Sequence, residues 1–176
     1  AARGEYNADA KTYTLHLSQS CAPIPGQAEK QPFVIPVSVG LVGAHSGAAL
    51  PLQVAGQTSA GSHLVVLTQA SESITFENVA EEPVPSVLRG FSAPVVLDLD
   101  YSDAQLLALL AHDSDAFNRW EAGQRLASDL ILGGVAVGGA IGAVIARKVG
   151  FANGNSFSSA FKKSTGHAPS HFRTEG

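Results

Sequence analysis

The chain has 176 residues, of which 45% are hydrophobic and 15% are charged. This composition indicates a folded globular protein and excludes an intrinsically disordered one. The single cysteine, Cys21, excludes an internal disulfide framework and gives no reason to expect an oxidising compartment, so we expect a cytoplasmic protein. Methionine is absent, and we expect the chain to be a fragment or a fusion.

The charge is distributed unevenly. Residues 1–129 contain 6 basic and 14 acidic residues, a net charge of −8, whereas residues 130–176 contain 5 basic and 1 acidic, a net charge of +4. An acidic body with a basic tail indicates two segments with different partners. The acidic body disfavours nucleic acid as a partner, whereas the tail could contact DNA.

Short apolar stretches separated by turn residues run through the first hundred residues. Residues 1–10 are expected to be an entry segment with a turn at 7–9. Strands are predicted at 12–18, 33–41, 63–68, 73–77 and 95–99. The turn at 43–47 predicts a hairpin between 37–41 and 50–54. Short strands at this spacing predict a mainly β fold, an immunoglobulin-like β-sandwich, followed by α-helices.

Two helices are predicted after the strands. Ser102 and Gln105 have the spacing of a capping box, and Ser114 is the expected N-cap of a second helix. In that second helix, Phe117 and Trp120 fall on one face together with Gln124. Core packing of the two aromatic side chains is favoured over a binding role, because an amphipathic helix must bury its apolar face.

Residues 130–146 are apolar, carry no charge and include five glycines. A membrane-spanning helix is disfavoured, because this stretch is shorter than the roughly 20 residues that a span needs. A buried soluble helix would be weakened by about 1 kcal/mol for each interior glycine. We therefore interpret 131–143 as a glycine-rich join.

The basic tail resembles the second helix-turn-helix of AraC-type transcription regulators. The matching residues include the run 149–151, the run 161–163, Gly166, Pro169 and Arg173. The resemblance implies an AraC-like fragment at 144–176 whose second helix would enter the major groove of DNA. The side chains it places against DNA are Asn153, Asn155, Ser156, Ser159, Lys162, Lys163 and Arg173.

Residues 5–130 resemble bacterial aminopeptidase N, a zinc-dependent alanyl aminopeptidase. Three stretches carry this resemblance: AEKQPFVIPV, PVPSVLRGFSAPV and HDSDAFNRWEAGQRL. The resemblance implies that 1–101 is the non-catalytic, immunoglobulin-like β-sandwich domain of that family and that 102–130 is the start of its C-terminal helical domain. The implied partners are the zinc catalytic domain and the C-terminal helical domain of the same enzyme.

The sequence provides no catalytic, cofactor-binding or metal-binding residue. The zinc motif HExxH is absent, and Pro169 separates the pair His167 and His171. Five aspartates lie near the β-to-α boundary (Asp98, Asp100, Asp103, Asp113 and Asp115), and capping explains them better than calcium binding does. The predicted function is therefore that of a non-catalytic structural module, with zinc confined to the parent enzyme's catalytic domain. The alternative is a DNA-binding regulator of the AraC type, and a membrane partner is disfavoured.

Overall fold

The structure is a computed structural model that describes residues 1–27 and 30–137, with side chains described up to residue 129. The chain divides into two compact units, Ala1–Trp120 and Glu121–Gly176. The described strands are β1 Ala2–Asn7, β2 Thr12–Ser18, β3 Ile35–Gly43, β4 Leu52–Val54, β5 Gln57–Ser59, β6 His63–Leu67, β7 Ser71–Phe76 and β8 Pro83–Val87. A short 3-10 turn at Arg89–Phe91 precedes the helices α1 Asp103–His112 and α2 Ala116–Val137.

Two three-stranded antiparallel sheets enclose the core of the first unit. One sheet has the strand order β1-β2-β7, the other has the order β6-β3-β8, and β4 and β5 form a separate ribbon. Burial alternates along β2, so that Tyr13, Leu15 and Leu17 point inward. They join one buried cluster with residues of β3 and β6, which shows that the two sheets are packed as a sandwich. The predicted mainly β fold with following helices is confirmed.

The first strand does not follow from the sequence pattern. Residues 2–7 form β1, which pairs with β2 from Ala2↔Leu17 to Asn7↔Thr12. The predicted turn does exist, because the Asn7 side-chain oxygen accepts a hydrogen bond from the Ala10 N–H at 2.9 Å. Charged Arg3 and Glu5, with Gly4 between them, conceal the strand pattern, since β1 exposes most of its residues to solvent.

The predicted hairpin between 37–41 and 50–54 is confirmed only beside its turn. There Val42 pairs antiparallel with Ala49, and the Leu50 N–H donates to the Leu41 carbonyl at 2.9 Å. Farther from the turn, β6 occupies this edge of β3 from Ile35 to Val39, and the strand β4 pairs with β5. The turn after β3 is stabilised by the Glu81 carboxylate, which accepts hydrogen bonds from the Ser46 hydroxyl and from the N–H groups of Ser46 and His45. The bonds from Ser46, followed by the one from His45, hold the pKa of Glu81 below its ordinary value.

The strand predicted at 95–99 is also wrong. These residues belong to neither sheet, although the Asp98 carbonyl accepts a hydrogen bond from the Ala2 N–H at 2.8 Å. The side chain of Val96 is 96% exposed. The last strand of the second sheet is instead β8, which contains Pro83 and Pro85 and which no strand pattern predicted.

Both helix starts are capped by side chains. The capping box predicted for α1 is confirmed, since Ser102 and Gln105 each accept the backbone N–H of the other. The N-cap predicted for α2 is wrong by one residue. Asp115 accepts the Asn118 N–H with its carboxylate and the Arg119 N–H with its carbonyl, whereas Ser114 lies outside the helix. A carboxylate at this position also interacts favourably with the helix dipole.

The helix α2 continues to Val137, so the first part of the segment predicted as a join is helical. Of the helices in the described part of the chain, none is long and apolar enough to cross a membrane. The rest of the predicted join and the predicted helix-turn-helix lie outside the described residues.

Candidate functional site

The second sheet ends at β8, and the outer edge of β8 is the base of the site. In a β-strand the backbone groups of alternate residues point to the same side. The Glu82 carbonyl points toward β3, where it accepts the Ala44 N–H at 2.9 Å. The carbonyls of Pro83, Pro85 and Val87 therefore point away from β3. The two prolines are tolerated in β8 because their missing N–H groups fall on this outer edge.

Two side chains provide the outer edge of β8 with hydrogen-bond donors. The Tyr101 hydroxyl donates to the Pro85 carbonyl at 2.7 Å. The Asn118 amide donates to the Val87 carbonyl at 3.1 Å and to the Ser86 hydroxyl at 2.7 Å. Ser86 is fully buried and Asn118 is 7% exposed, so these bonds satisfy polar groups that water does not reach. We call this set of residues the β8 edge contacts.

Arg89 links the loop after β8 to the turn between the helices. Its guanidinium lies over Gly40 of β3, where a side chain of any size would collide with it. It pairs with the Asp113 carboxylate at 3.5 Å and donates a hydrogen bond to the Ser114 hydroxyl. The Asp113 side chain has no exposed surface, and removing Arg89 would leave its buried charge without this ion pair.

Asp115 connects the same loop to the start of α2. One carboxylate oxygen accepts the Gly90 N–H at 2.9 Å, and the other accepts the Asn118 N–H at 2.9 Å. The loop needs this support because Leu88, Gly90 and Phe91 all have positive φ angles, near 60°, 61° and 55°. Such a conformation costs free energy for a residue with a side chain, so it persists only where surrounding contacts impose it.

Together, the β8 edge contacts and the Arg89–Asp113–Asp115 contacts form a polar junction between the second sheet and the start of the helices. Each carboxylate in the junction accepts backbone N–H groups or pairs with the arginine. None of its side chains forms a nucleophile–base pair of the kind used in covalent catalysis. The arrangement fixes one element against another, which is a structural role.

Three aromatic side chains lie beside the junction. Phe117 contacts Phe91 with ring centroids 5.4 Å apart and Trp120 with centroids 6.0 Å apart. Trp120 is 54% exposed, so the expected core packing is wrong for this residue. The face of α2 that is buried at this point carries Asn118 instead, because the outer edge of β8 requires a polar partner.

Two of the clefts on the described part of the first unit have volumes of about 300 and 710 Å³. The smaller, of about 300 Å³, is polar and is lined in part by Tyr13, Glu82 and Asp98. Burial, followed by the nearby negative charge of Glu82, raises the pKa of Tyr13. The larger cleft, of about 710 Å³, is apolar and lies between the end of β2, near Leu17, and the segment around Val95. Neither cleft collects residues with an evident catalytic arrangement.

The described residues do not fit a zinc ion. Among them, no group of three or more histidine, cysteine or acidic side chains lies close enough to hold a metal. Of the acidic residues near the β-to-α boundary, Asp113 and Asp115 belong to the polar junction, and Asp103 occupies the first turn of α1. Cys21 is free and exposed.

The seven residues predicted to contact DNA, Asn153, Asn155, Ser156, Ser159, Lys162, Lys163 and Arg173, lie outside the described residues. Their role therefore stays a prediction. The polar junction, by contrast, was not predicted as a site. The signal for it was present in the stretch PVPSVLRGFSAPV, but proline in a strand and asparagine in a helix are ordinarily counted against those elements.

Two family models match the chain in succession. Residues 1–100 match a domain of unknown function, DUF3458, described as having an Ig-like fold. Residues 103–169 match the model DUF3458_C, described as ARM repeats. The second match runs through the segment that resembles AraC-type regulators, and these comparisons give that resemblance no support.

The curated relatives and the solved structure that resemble this chain are all aminopeptidases. Aminopeptidase N of Escherichia coli K12 is 40% identical over 129 residues, which cover 73% of this chain and 14% of the relative. Aminopeptidase N of Caulobacter vibrioides is 47% identical over 77 residues, covering 44% of this chain and 9% of the relative. The crystal structure of Legionella pneumophila aminopeptidase A in complex with aspartic acid superposes with a TM-score of 0.60 at 32% identity. That match covers 80% of this chain and 14% of the solved one, so this chain spans a small part of the proteins it matches.

Proposed function

Because this chain belongs to the DUF3458 family of Ig-like domains, we propose that it serves as a non-catalytic structural module of an aminopeptidase N-type zinc metallopeptidase. The parent enzyme would remove N-terminal residues from peptides. The module would join the enzyme's zinc catalytic domain to its C-terminal helical domain. We propose a cytoplasmic location for it.

The observation that carries this proposal is the continuity of the match. The Escherichia coli relative matches 129 residues of this chain in one alignment, so the match extends beyond the 100 residues of the Ig-like domain. The polar junction links the second sheet to the start of the helices. A module that carries helices needs their first turns fixed to its sheet, and the polar junction does this within the first unit.

Buried hydrogen bonds hold the junction together. Asn118 of α2 satisfies the Val87 carbonyl of β8, and Asp115 binds the loop between them. These contacts fix the start of α2 to the sheet by buried hydrogen bonds, which are costly to break when their partners cannot reach water. These contacts support the proposed role as a scaffold.

The proposal is tested with the purified chain of 176 residues. We expect it to bind no stoichiometric zinc by metal analysis and to leave alanyl p-nitroanilide uncleaved, with or without added zinc. Hydrolysis that follows zinc addition and is abolished by a chelator would refute the assignment as a non-catalytic module.

A further inference from the structure

The polar cleft of about 300 Å³ on the first unit is lined by a tyrosine hydroxyl that has no hydrogen-bond partner among the described residues. It belongs to Tyr13, whose side chain lines the cleft although only 4% of the residue is exposed. Tyr6 and Tyr101 also line the cleft, but each donates its hydroxyl to a backbone carbonyl. Buried polar groups are ordinarily hydrogen-bonded, so the Tyr13 hydroxyl needs an explanation.

The absence of a side chain at residue 4 lets the Tyr13 hydroxyl reach the cleft. The hydroxyl lies against Gly4 of β1, where a β-carbon would collide with it. Because Gly4 itself lines the cleft, the hydroxyl end of Tyr13 is directed toward this space. Burial, followed by the nearby negative charge of Glu82, raises the pKa of Tyr13. The hydroxyl therefore stays neutral near neutral pH, and its oxygen can accept a hydrogen bond.

The charge at the cleft is predominantly negative. Three exposed acidic residues line it, namely Glu82, Asp98 and Asp100. Their carboxylates form no ion pair within the part of the chain that the structure describes. Two positive groups line the cleft as well, and both have partners. Arg3 pairs with Glu5 at 2.7 Å, and the Ala1 ammonium group donates to the Ser18 carbonyl at 2.7 Å. The three carboxylates therefore favour a cation in the cleft.

The size of the cleft and the spacing of its carboxylates disfavour a bare metal ion. No three histidine, cysteine or acidic side chains of the described residues lie close enough to hold one. The volume of about 300 Å³ is at the lower end of the range for small-molecule sites, roughly 300–1,000 Å³. Pro83 and Leu99 add apolar surface to the lining. These features suit a cation that carries a short hydrocarbon chain.

We propose that this cleft binds a primary alkylammonium group, which donates one N–H to the Tyr13 hydroxyl oxygen and meets the carboxylate of Glu82. A primary ammonium has three N–H donors, so it can satisfy the hydroxyl and carboxylates together. The group has two sources, a free alkylamine or a lysine side chain of another polypeptide, and both present the same chemistry. Because the carboxylates are exposed and screened by salt, the dissociation constant is on the order of 1–10 mM.

The test is an NMR titration of the isotope-labelled full chain with n-butylammonium chloride, at neutral pH and constant ionic strength. We expect saturable shifts in the backbone amides of the cleft, including those of Gly4, Tyr13 and Asp100. Tyr13→Phe removes the hydroxyl and keeps the ring, so it should weaken binding at least about fivefold. Glu82→Gln removes one exposed negative charge and should weaken binding about two- to fivefold.

Matched controls separate this site from general attraction of cations. Asp9→Asn removes a negative charge from an exposed turn outside the cleft, and it should leave the dissociation constant unchanged. Tetramethylammonium has the charge without an N–H donor, and butanol has the chain without the charge. Each should bind at least about fivefold more weakly than butylammonium, because each lacks one of the two interactions.

A blocked lysine, Nα-acetyl-lysine methylamide, distinguishes the two sources of the ammonium group. Tighter binding of the blocked lysine than of butylammonium assigns the site to a lysine side chain of a protein partner, whereas equal or weaker binding assigns it to a free amine. The proposal would be overturned by the absence of saturable shifts, or by shifts that lie away from the cleft. Equal binding of tetramethylammonium, or unchanged binding by Tyr13→Phe, would overturn it as well.

Discussion

Asn118 makes two hydrogen bonds to β8, whereas Tyr101 makes one. Replacing Asn118 by alanine is therefore the most direct test of the polar junction. The change removes the donor to the Val87 carbonyl at 3.1 Å and the donor to the Ser86 hydroxyl at 2.7 Å. Both acceptors are buried, and leaving a buried polar group without its partner costs about 1–3 kcal/mol. We expect Asn118→Ala to lower the free energy of unfolding by about 2–4 kcal/mol.

Two related variants separate the contributions of the two Asn118 hydrogen bonds to the free energy of unfolding. Ser86→Ala removes one acceptor and keeps the bond to the Val87 carbonyl, so we expect a loss of about 1 kcal/mol. Asn118→Asp preserves the shape but replaces the donor by a carboxylate that faces a carbonyl oxygen. Its loss should exceed that of alanine at neutral pH, since an ionised group would be buried without a donor. The excess should shrink as acid protonates the new carboxyl group.

The assay is urea denaturation followed by the fluorescence of Trp120, the single tryptophan of the chain, which lies two residues from the mutated position. Far-UV circular dichroism of the same samples provides a second probe. Ser128→Ala, at an exposed position of α2, is the matched control and should change stability by less than about 0.5 kcal/mol. A loss for Asn118→Ala no larger than that of the control would refute the view that this amide satisfies the edge of β8.

Three further variants test other contacts by the same denaturation assay. Tyr101→Phe removes the bond to the Pro85 carbonyl, and we expect a loss of about 1 kcal/mol, whereas no change would show that water replaces the hydroxyl. Gly40→Ala should destabilise by about 1–3 kcal/mol because the new methyl group displaces Arg89, and an unchanged protein would refute that packing. The folded state holds the pKa of Glu81 below 4.5, so its contribution is present above pH 4.5 and is lost as the pH falls through the lowered value. Glu81→Gln should therefore flatten the pH dependence of stability in that range, and an unchanged acid limb would contradict it.

The parts of the fold that follow from local pattern could be predicted from the sequence. The alternation in β2 requires Leu15 and Leu17 to face the core, and the spacing of Ser102 and Gln105 specifies a helix start. Both are short-range signals, in which the residues that interact are also close in the chain.

The parts that depend on distant partners could not be predicted. The segment around Val96 has strong strand composition but joins neither sheet, whereas the proline-containing β8 lies beside β3. Composition reports what a residue favours locally and says nothing about which edge is vacant. The role of Asn118 could not be predicted for the same reason, since its partners Ser86 and Val87 precede it by 32 and 31 residues.

The central claim, that this chain is a structural module of an aminopeptidase, is tested most directly by exchange. In the Escherichia coli aminopeptidase N, the segment that aligns with this chain would be replaced by the matching 129 residues. The account predicts a soluble chimera that retains peptidase activity, and Asn118→Ala in the chimera should lower its melting temperature. A chimera that is no more soluble or active than the same enzyme with the segment deleted would contradict the claim.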